Sequence, residues 1–340
     1  MTSTSSTPEA ATLPDSMQAI TQRAYGTADV LHAEQIPLPP QPGEGEVLLQ
    51  VAAAGMDRGT WHLMMGEPRM VRPAIGWRRP RRLVPGFDVA GTVVDVGPGV
   101  THLAVGDRVF GIARGSFAQY ALALEKKLTA APAALSDPEA AVLGISGLTA
   151  LQALRDVARV QPGQRVLILG ASGGVGSYAV QIAKAMGADV TGVCSAGKAD
   201  LVTSLGADRV LDYRTTDPVD GSVKYDAIID IGGHRRLSAL RGALTPKGAL
   251  AIVGSETGGK WTGGIGRQVC AVLLSPFVSQ RLAMVVSKEQ AVDLAELAAL
   301  VEAGDLRPAV DRVVPLAQVP DAMRRLEAGE VRGKIAISVG

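Results

Sequence analysis

The run Gly170-Ala171-Ser172-Gly173-Gly174-Val175-Gly176 carries the residue types from which a backbone can cradle a diphosphate. Small side chains let a turn tighten and let the main chain approach an anion closely. The N–H groups that open a following helix have no acceptor within it and turn toward the charge. Ala171, Gly173 and Gly176 fall at the three spaced positions of a dinucleotide fingerprint, with alanine in the first. The second clue lies further on. Chains that bind NAD place an acid after the next strand to hold the ribose 2′-hydroxyl. Here that stretch is Cys194-Ser195-Ala196-Gly197-Lys198, with no acid before Asp200. Ser195 and Lys198 offer a hydroxyl and a cation instead, which suits a 2′-phosphate, so the expected cofactor is NADPH.

Such a cradle needs a strand before it and a helix after it. Arg165–Leu169 is a short apolar run launched from Gln161-Pro162-Gly163, and Val175, Ala179, Ile182, Ala183 and Met186 recur at helical spacing up to Gly187. Further strands are expected at 189–193, Arg209–Asp212, 226–231, 248–253 and 282–286, with helices at 199–205 and 236–244 between them. Strands alternating with helices make an α/β domain, a doubly wound parallel sheet of the Rossmann type. Gly254 and Ser255 follow the fifth strand, on the edge where such a sheet presents its ligand, and are expected to border the nicotinamide.

The flanks differ in character. Segments 45–55, 87–97, 105–111 and 117–123 read as strands separated by turns, a twisted β unit with little helix. The tail returns to that style, with a strand at 311–316, a helix at 320–327 and a closing strand at 334–339. The expected organisation is a nucleotide domain over 139–287, inserted into a substrate domain built from 17–138 and 288–340, with ligands in the cleft. Residues 1–16, rich in Ser, Thr and Pro, read as a disordered tail and lack the basic and apolar pattern of a signal peptide.

Composition narrows the function classes. With 47% apolar and 20% charged residues in a chain of 340, both domains can bury a substantial core. A net charge of +1 argues against a nucleic-acid partner. The apolar stretch around 269–274 is cut by Ser275-Pro276 and is too short for a bilayer, so no membrane partner is expected. The two cysteines, Cys194 and Cys270, make no disulfide framework and suit a reducing cytoplasm.

Several ordered landmarks resemble one family. They are Pro85-Gly86-Phe87-Asp88-Val89-Ala90-Gly91-Thr92-Val93, Val105-Gly106-Asp107-Arg108-Val109-Phe110-Gly111, Gly147-Leu148-Thr149-Ala150, the glycine run, Leu205-Gly206-Ala207-Asp208 and Arg332-Gly333-Lys334-Ile335. The chain is similar, from about residue 17 onward, to the medium-chain dehydrogenase/reductase superfamily in its zinc-free quinone oxidoreductase branch. The resemblance implies a GroES-like β-rich catalytic domain beside the Rossmann domain. It also implies hydride transfer between a nicotinamide cofactor and a carbonyl, alcohol, quinone or activated alkene. Zinc-dependent relatives carry Cys and His where this chain has Met56 and Phe87, neither of them a zinc ligand, so no metal is expected. Without a Lewis acid, an acceptor that spreads the incoming charge into an enolate or hydroquinone oxygen is favoured. A zinc-free ketone reductase, or an NADPH-binding sensor without turnover, are the alternatives.

By the same resemblance, the segment from Gly55 to His62 lines the substrate cleft. Relatives often have Asn-Pro there. This chain has Asp57-Arg58, and Asp57 or His62 could donate a proton or hydrogen bond to the developing oxyanion, the alternative being a structural ion pair and a packed helix residue. Ser146 and Thr149 match a helix start close to the nicotinamide and pyrophosphate, and Tyr213 is placed near the adenine. The basic run Arg69, Arg72, Arg78, Arg79, Arg81 and Arg82 reads as a solvated loop, or as a mouth for an anionic substrate such as a carrier-bound acyl group. A homodimer paired through 282–286 is expected, since that apolar edge left bare invites aggregation.

Overall fold

The computed structural model describes residues 13–254 and 259–340. Six parallel strands form one sheet in the spatial order Arg209–Asp212, Asp189–Cys194, Arg165–Leu169, Tyr225–Asp230, Leu244–Ile252, Arg281–Met284. The order reverses between Arg165–Leu169 and Tyr225–Asp230, and a doubly wound sheet opens its ligand crevice at that point. The strands are apolar on both faces because helices cover both. Val166, Ile168, Val190, Ala227, Ile229 and Ala251 pack with Tyr178, Ala179 and Ile182 in one buried cluster, while Leu167, Ile228, Leu250 and Ile252 pack with Leu240 and Ala271 in another. These elements match the sequence expectation to within a few residues at each end, except that Leu244–Ile252 starts earlier, on the near side of Pro246.

A second sheet of seven strands runs Val310–Pro315, Lys334–Ser338, Glu46–Met56, Asp88–Val96, Arg108–Ile112, Leu128–Ala130, with Tyr120–Leu124 also paired to Glu46–Met56. The C-terminal strand Lys334–Ser338 lies antiparallel to Glu46–Met56, so the last residues of the chain return to its first third. Ser16, assigned from sequence to a tail, instead opens a strand, Ser16–Gln22, paired with Leu31–Pro37. The β unit also holds more helix than its sequence suggests: Arg58–Met65 precedes the second sheet strand, and Ala291–Glu302 packs against Leu128–Ala130.

Two glycines make the cradle possible. Gly170 takes φ +89 as the first strand turns out of the sheet, a region L side chains avoid. A Cβ on Gly176 would lie 2.1 Å from the Gly170 carbonyl oxygen, so only glycine lets helix Gly174–Ala185 start that close to the strand end.

Candidate active site

The first turn of helix Gly174–Ala185 presents its N–H groups at the crevice, as the glycine run required. Beside it sits a buried polar cluster of which sequence reasoning singled out only Ser146. Lys334 Nζ donates to Asp88 Oδ2 and to Ser146 Oγ, both at 3.1 Å, and the Ile145 N–H donates to Asp88 Oδ1 at 2.7 Å. Lys334 and Asp88 are 2% and 0% exposed. The lysine stem runs along the cradle: a Cβ on Gly174 would stand 2.9 Å from Lys334 Cδ, and the Gly333 N–H donates to the Ser172 carbonyl at 2.8 Å. Burial pushes the Asp88 carboxyl up to about 6, against the pull of the Lys334 ammonium and with a further push from Asp57. The available signal was a charged residue opening an otherwise apolar strand, in Asp88-Val89-Ala90 and in Lys334-Ile335-Ala336.

A cavity of about 440 Å³ adjoins this cluster, lined among others by Asp57, His62, Glu67, Phe87, Ile145 and Glu289. Asp57 caps helix Arg58–Met65: its Oδ1 accepts from the Thr60 N–H at 2.7 Å, and Gly66 ends the helix at φ +63. Asp57 is 5% exposed, and its other oxygen, Oδ2, meets no hydrogen-bond donor. The His62 ring stands edge-on to Trp61, centroids 4.8 Å apart, with the Arg58 guanidinium over the Trp61 ring. Of the residues expected to do chemistry, the fold therefore brings Asp57 and His62 together. Ser146 belongs to the Lys334 cluster and is not among the lining residues; Ile145 forms the wall between.

The remaining expected residues divide between cofactor edge and scaffold. Ala171, Ser172, Gly173, Gly174, Val175 and Gly176 form the turn and helix start. Ser195 precedes the short turn Ala196–Lys198 at the end of the second sheet strand. Lys198 reaches across the cleft, and its Nζ donates to the carbonyls of Gly329 at 2.7 Å and Val331 at 2.8 Å, with its pKa lowered chiefly by burial. Tyr213, expected near the adenine, follows the strand Arg209–Asp212 and is exposed, with Arg214 beside its ring. Thr149 Oγ1 donates to the Ile145 carbonyl at 2.7 Å, which commits its proton to its own helix. The Gly254 carbonyl accepts from Arg267 Nη2 at 3.2 Å, and Arg267 Nη1 lies 2.5 Å from the buried Asp230, a pair sequence reasoning did not single out. Ser255 lies outside the described residues. In the basic run, Arg72 covers the Tyr25 ring, Arg81 donates to the Pro73 carbonyl and Arg82 covers Phe87; no arginine of the run is among the described residues that line the cavity.

The alcohol dehydrogenase GroES-like domain family matches residues 43–133, and the zinc-binding dehydrogenase family matches residues 205–337. A chloroplast envelope quinone oxidoreductase homolog from Arabidopsis thaliana is 33% identical over 94% of this chain and 98% of its own length. The chain belongs to the medium-chain dehydrogenase/reductase superfamily, in its quinone oxidoreductase-like branch. Within that superfamily it is an NAD(P)H-dependent oxidoreductase. A 2-methylene-furan-3-one reductase from Solanum lycopersicum is 31% identical over 96% of this chain and 80% of its own length. The Escherichia coli quinone oxidoreductase complexed with NADPH superposes with a TM-score of 0.79 at 26% identity, covering 95% of this chain and all of that one. The zinc in one family's description does not fit the residues present. Met56 is buried in its strand, Phe87 lines the cavity, and among the described residues no group of three or more His, Cys, Asp or Glu is placed to hold a metal ion. No helix among the described residues is long and apolar enough to cross a membrane.

Proposed function

We propose that this oxidoreductase uses NADPH to reduce a small activated acceptor, a quinone or an α,β-unsaturated carbonyl. One observation carries the reading: a cavity walled by Phe87, Ile145 and Leu63 adjoins, through Ile145, the Ser146–Lys334 cluster that backs the glycine cradle, and its lining includes His62 but no zinc ligand set. Bound in the crevice, NADPH supplies a hydride from the nicotinamide C4. The protein does the rest. The N–H groups at the start of helix Gly174–Ala185 hold the diphosphate, and the Lys334 ammonium balances its charge from behind Gly174. Ser146 Oγ accepts from Lys334 and so keeps its own O–H to donate toward the bound dinucleotide. The apolar wall excludes water from the acceptor, and an N–H of His62 steadies the oxygen on which charge develops.

The test is the loss of NADPH absorbance with a panel of quinones and enones. Reduction of at least one is expected. Oxidation of a secondary alcohol with no enone or quinone reduced would refute the reaction class. NADPH is expected to bind about 1–3 kcal/mol more tightly than NADH, the scale of one or two charge-assisted hydrogen bonds. Two of the three N–H donors of Lys198 go to the Gly329 and Val331 carbonyls, which leaves the third for the 2′-phosphate. Equal dissociation constants, or an unchanged preference in Lys198→Ala, would rule this out.

The same reading includes a second copy of the chain. Arg281–Met284 is an outer strand of the six-stranded sheet, and Met284 and Val286 beside it are exposed. Pairing two such edges removes unpaired backbone groups from water. A dimer mass in solution at micromolar concentration is expected; a monomer would contradict it.

A further inference from the structure

Beside the cavity lies a stretch whose charge and exposure the proposed reaction does not use. From Pro68 to Phe87 the chain carries six arginines and no Asp or Glu. Arg69, Arg78, Arg79, Arg81 and Arg82 are exposed, and no arginine of the six pairs with a carboxylate among the described residues. Met70, Trp77 and Leu83 are exposed between them, Trp77 by 66%. A segment of the nucleotide domain adjoins this stretch: the Arg69 N–H donates to the Lys260 carbonyl at 2.8 Å, and the Met70 N–H to the Trp261 carbonyl at 3.2 Å. Trp261 is 64% exposed, so two of the chain's three tryptophans stand in water on these two adjoining segments. Pro68, Val71 and Gly263, from the same segments, line the cavity.

A single exposed tryptophan needs no explanation, but large apolar side chains set among unpaired cations do. A second copy of this surface would bring arginines against arginines. An acidic protein would answer the charge, yet each projecting side chain would need a pocket shaped to it. A bilayer needs no such match. Its phosphates take arginines in any arrangement, and tryptophan settles at the level of the headgroups. We infer that this surface docks on an anionic lipid bilayer, with the exposed arginines at the lipid phosphates and Met70, Trp77, Leu83 and Trp261 in the headgroup layer. A chain with no segment long enough to cross a bilayer can still lie on one. The cavity then borders the lipid, and an apolar quinone reaches it without crossing water. That consequence rests on the proposed reduction; the docking does not.

Flotation of the full chain with vesicles decides it, using phosphatidylcholine alone or with about 30% phosphatidylglycerol. Each arginine near an anionic surface changes partitioning about fivefold, so at low salt the anionic vesicles should bind at least about 100-fold more strongly than the neutral ones. Most of that difference should vanish at about 0.5 M salt, where charges are screened beyond about 4 Å. Arg78→Ser with Arg79→Ser should weaken binding about 25-fold, two factors of five. Trp77→Ser should weaken it roughly 10-fold through lost apolar contact. These side chains are exposed, so the melting temperature and the NADPH dissociation constant should hold in both variants. As a control, Arg165→Ser with Arg209→Ser removes the same charge where strands Arg165–Leu169 and Arg209–Asp212 begin, at the sheet edge opposite the crevice. It should leave vesicle binding within about twofold of the wild type. Equal partitioning into the two vesicle types, or binding to neither, overturns the inference. So does a control pair that weakens binding as much as Arg78→Ser with Arg79→Ser, because net charge alone then accounts for it. Absence of vesicle binding together with capture by an acidic acyl carrier protein, lost in the Arg78 and Arg79 variant, would assign the surface to a protein and overturn it as well. No arm reads turnover, so the proposed reaction can fail while the docking stands.

Discussion

Lys334→Met is expected to lower stability by about 3–5 kcal/mol, the cost of leaving a buried charge without its partner. Asp88 is fully buried, and the ammonium is its only cationic neighbour among the interactions that set its acidity. The double variant Asp88→Asn with Lys334→Met should recover most of that loss, since Asn can still accept from the Ile145 N–H and no ion remains to be desolvated. NADPH affinity should behave differently. It should fall in the single variant and stay low in the double, because the cation behind Gly174 is gone from both. Urea midpoints and NADPH titrations of the three proteins separate the two roles. A single variant as stable as the wild type would refute the structural part, and a double variant with restored NADPH affinity the functional part.

The pair also sets a pH window. Asp88 is raised from the ordinary aspartate value of 3.8 to about 6 in the fold, so the folded state holds its proton more tightly than the unfolded state. Its contribution to stability is complete below pH 4, declines as pH rises to about 6, and is level above. That decline should appear in the wild type minus the double variant, and nowhere outside the window.

His62→Leu is the second large effect. Turnover at saturating NADPH should fall by roughly 10²–10³-fold, as when one oxyanion donor is removed, while the NADPH dissociation constant holds. Leucine fills the space against Trp61 without a donor, so a drop in rate reports lost hydrogen bonding rather than a hole in the helix packing. Near-normal turnover would mean that the cavity contributes proximity alone, and the assignment of His62 would be wrong.

The scaffold was legible because its signals are local. Val166 to Leu169 alternate with nothing polar, Gly187 and Gly206 sit at positive φ where their helices stop, and Gly176 is required by a contact within seven residues of the strand end. The site was legible from local signals only in the cradle; the turn from Asp57 to His62 was reached through the family resemblance. Lys334 and Asp88 were quoted for their neighbours and not for themselves, because their meaning depends on a contact across the fold that no spacing rule reports. Lys198 shows the same limit from the other side. A cation beside a nucleotide edge reads as a phosphate ligand, and its two carbonyl partners, Gly329 and Val331, are more than a hundred residues distant. Arg267 and Asp230 were missed for the same reason.

Sequence separation also governs how the protein is made. Asp88 and Lys334 stand 246 positions apart, so the strand that carries Lys334 leaves the ribosome long after Asp88 does. Until it arrives, a nascent chain holds an unpaired acid where the mature protein is driest, next to a strand, Glu46–Met56, that still lacks its outer neighbour. The β unit cannot close on itself during synthesis and must wait, open-edged, while the nucleotide domain is completed. Chains broken off before Lys334 would therefore fold poorly, and would pair with one another through that waiting edge.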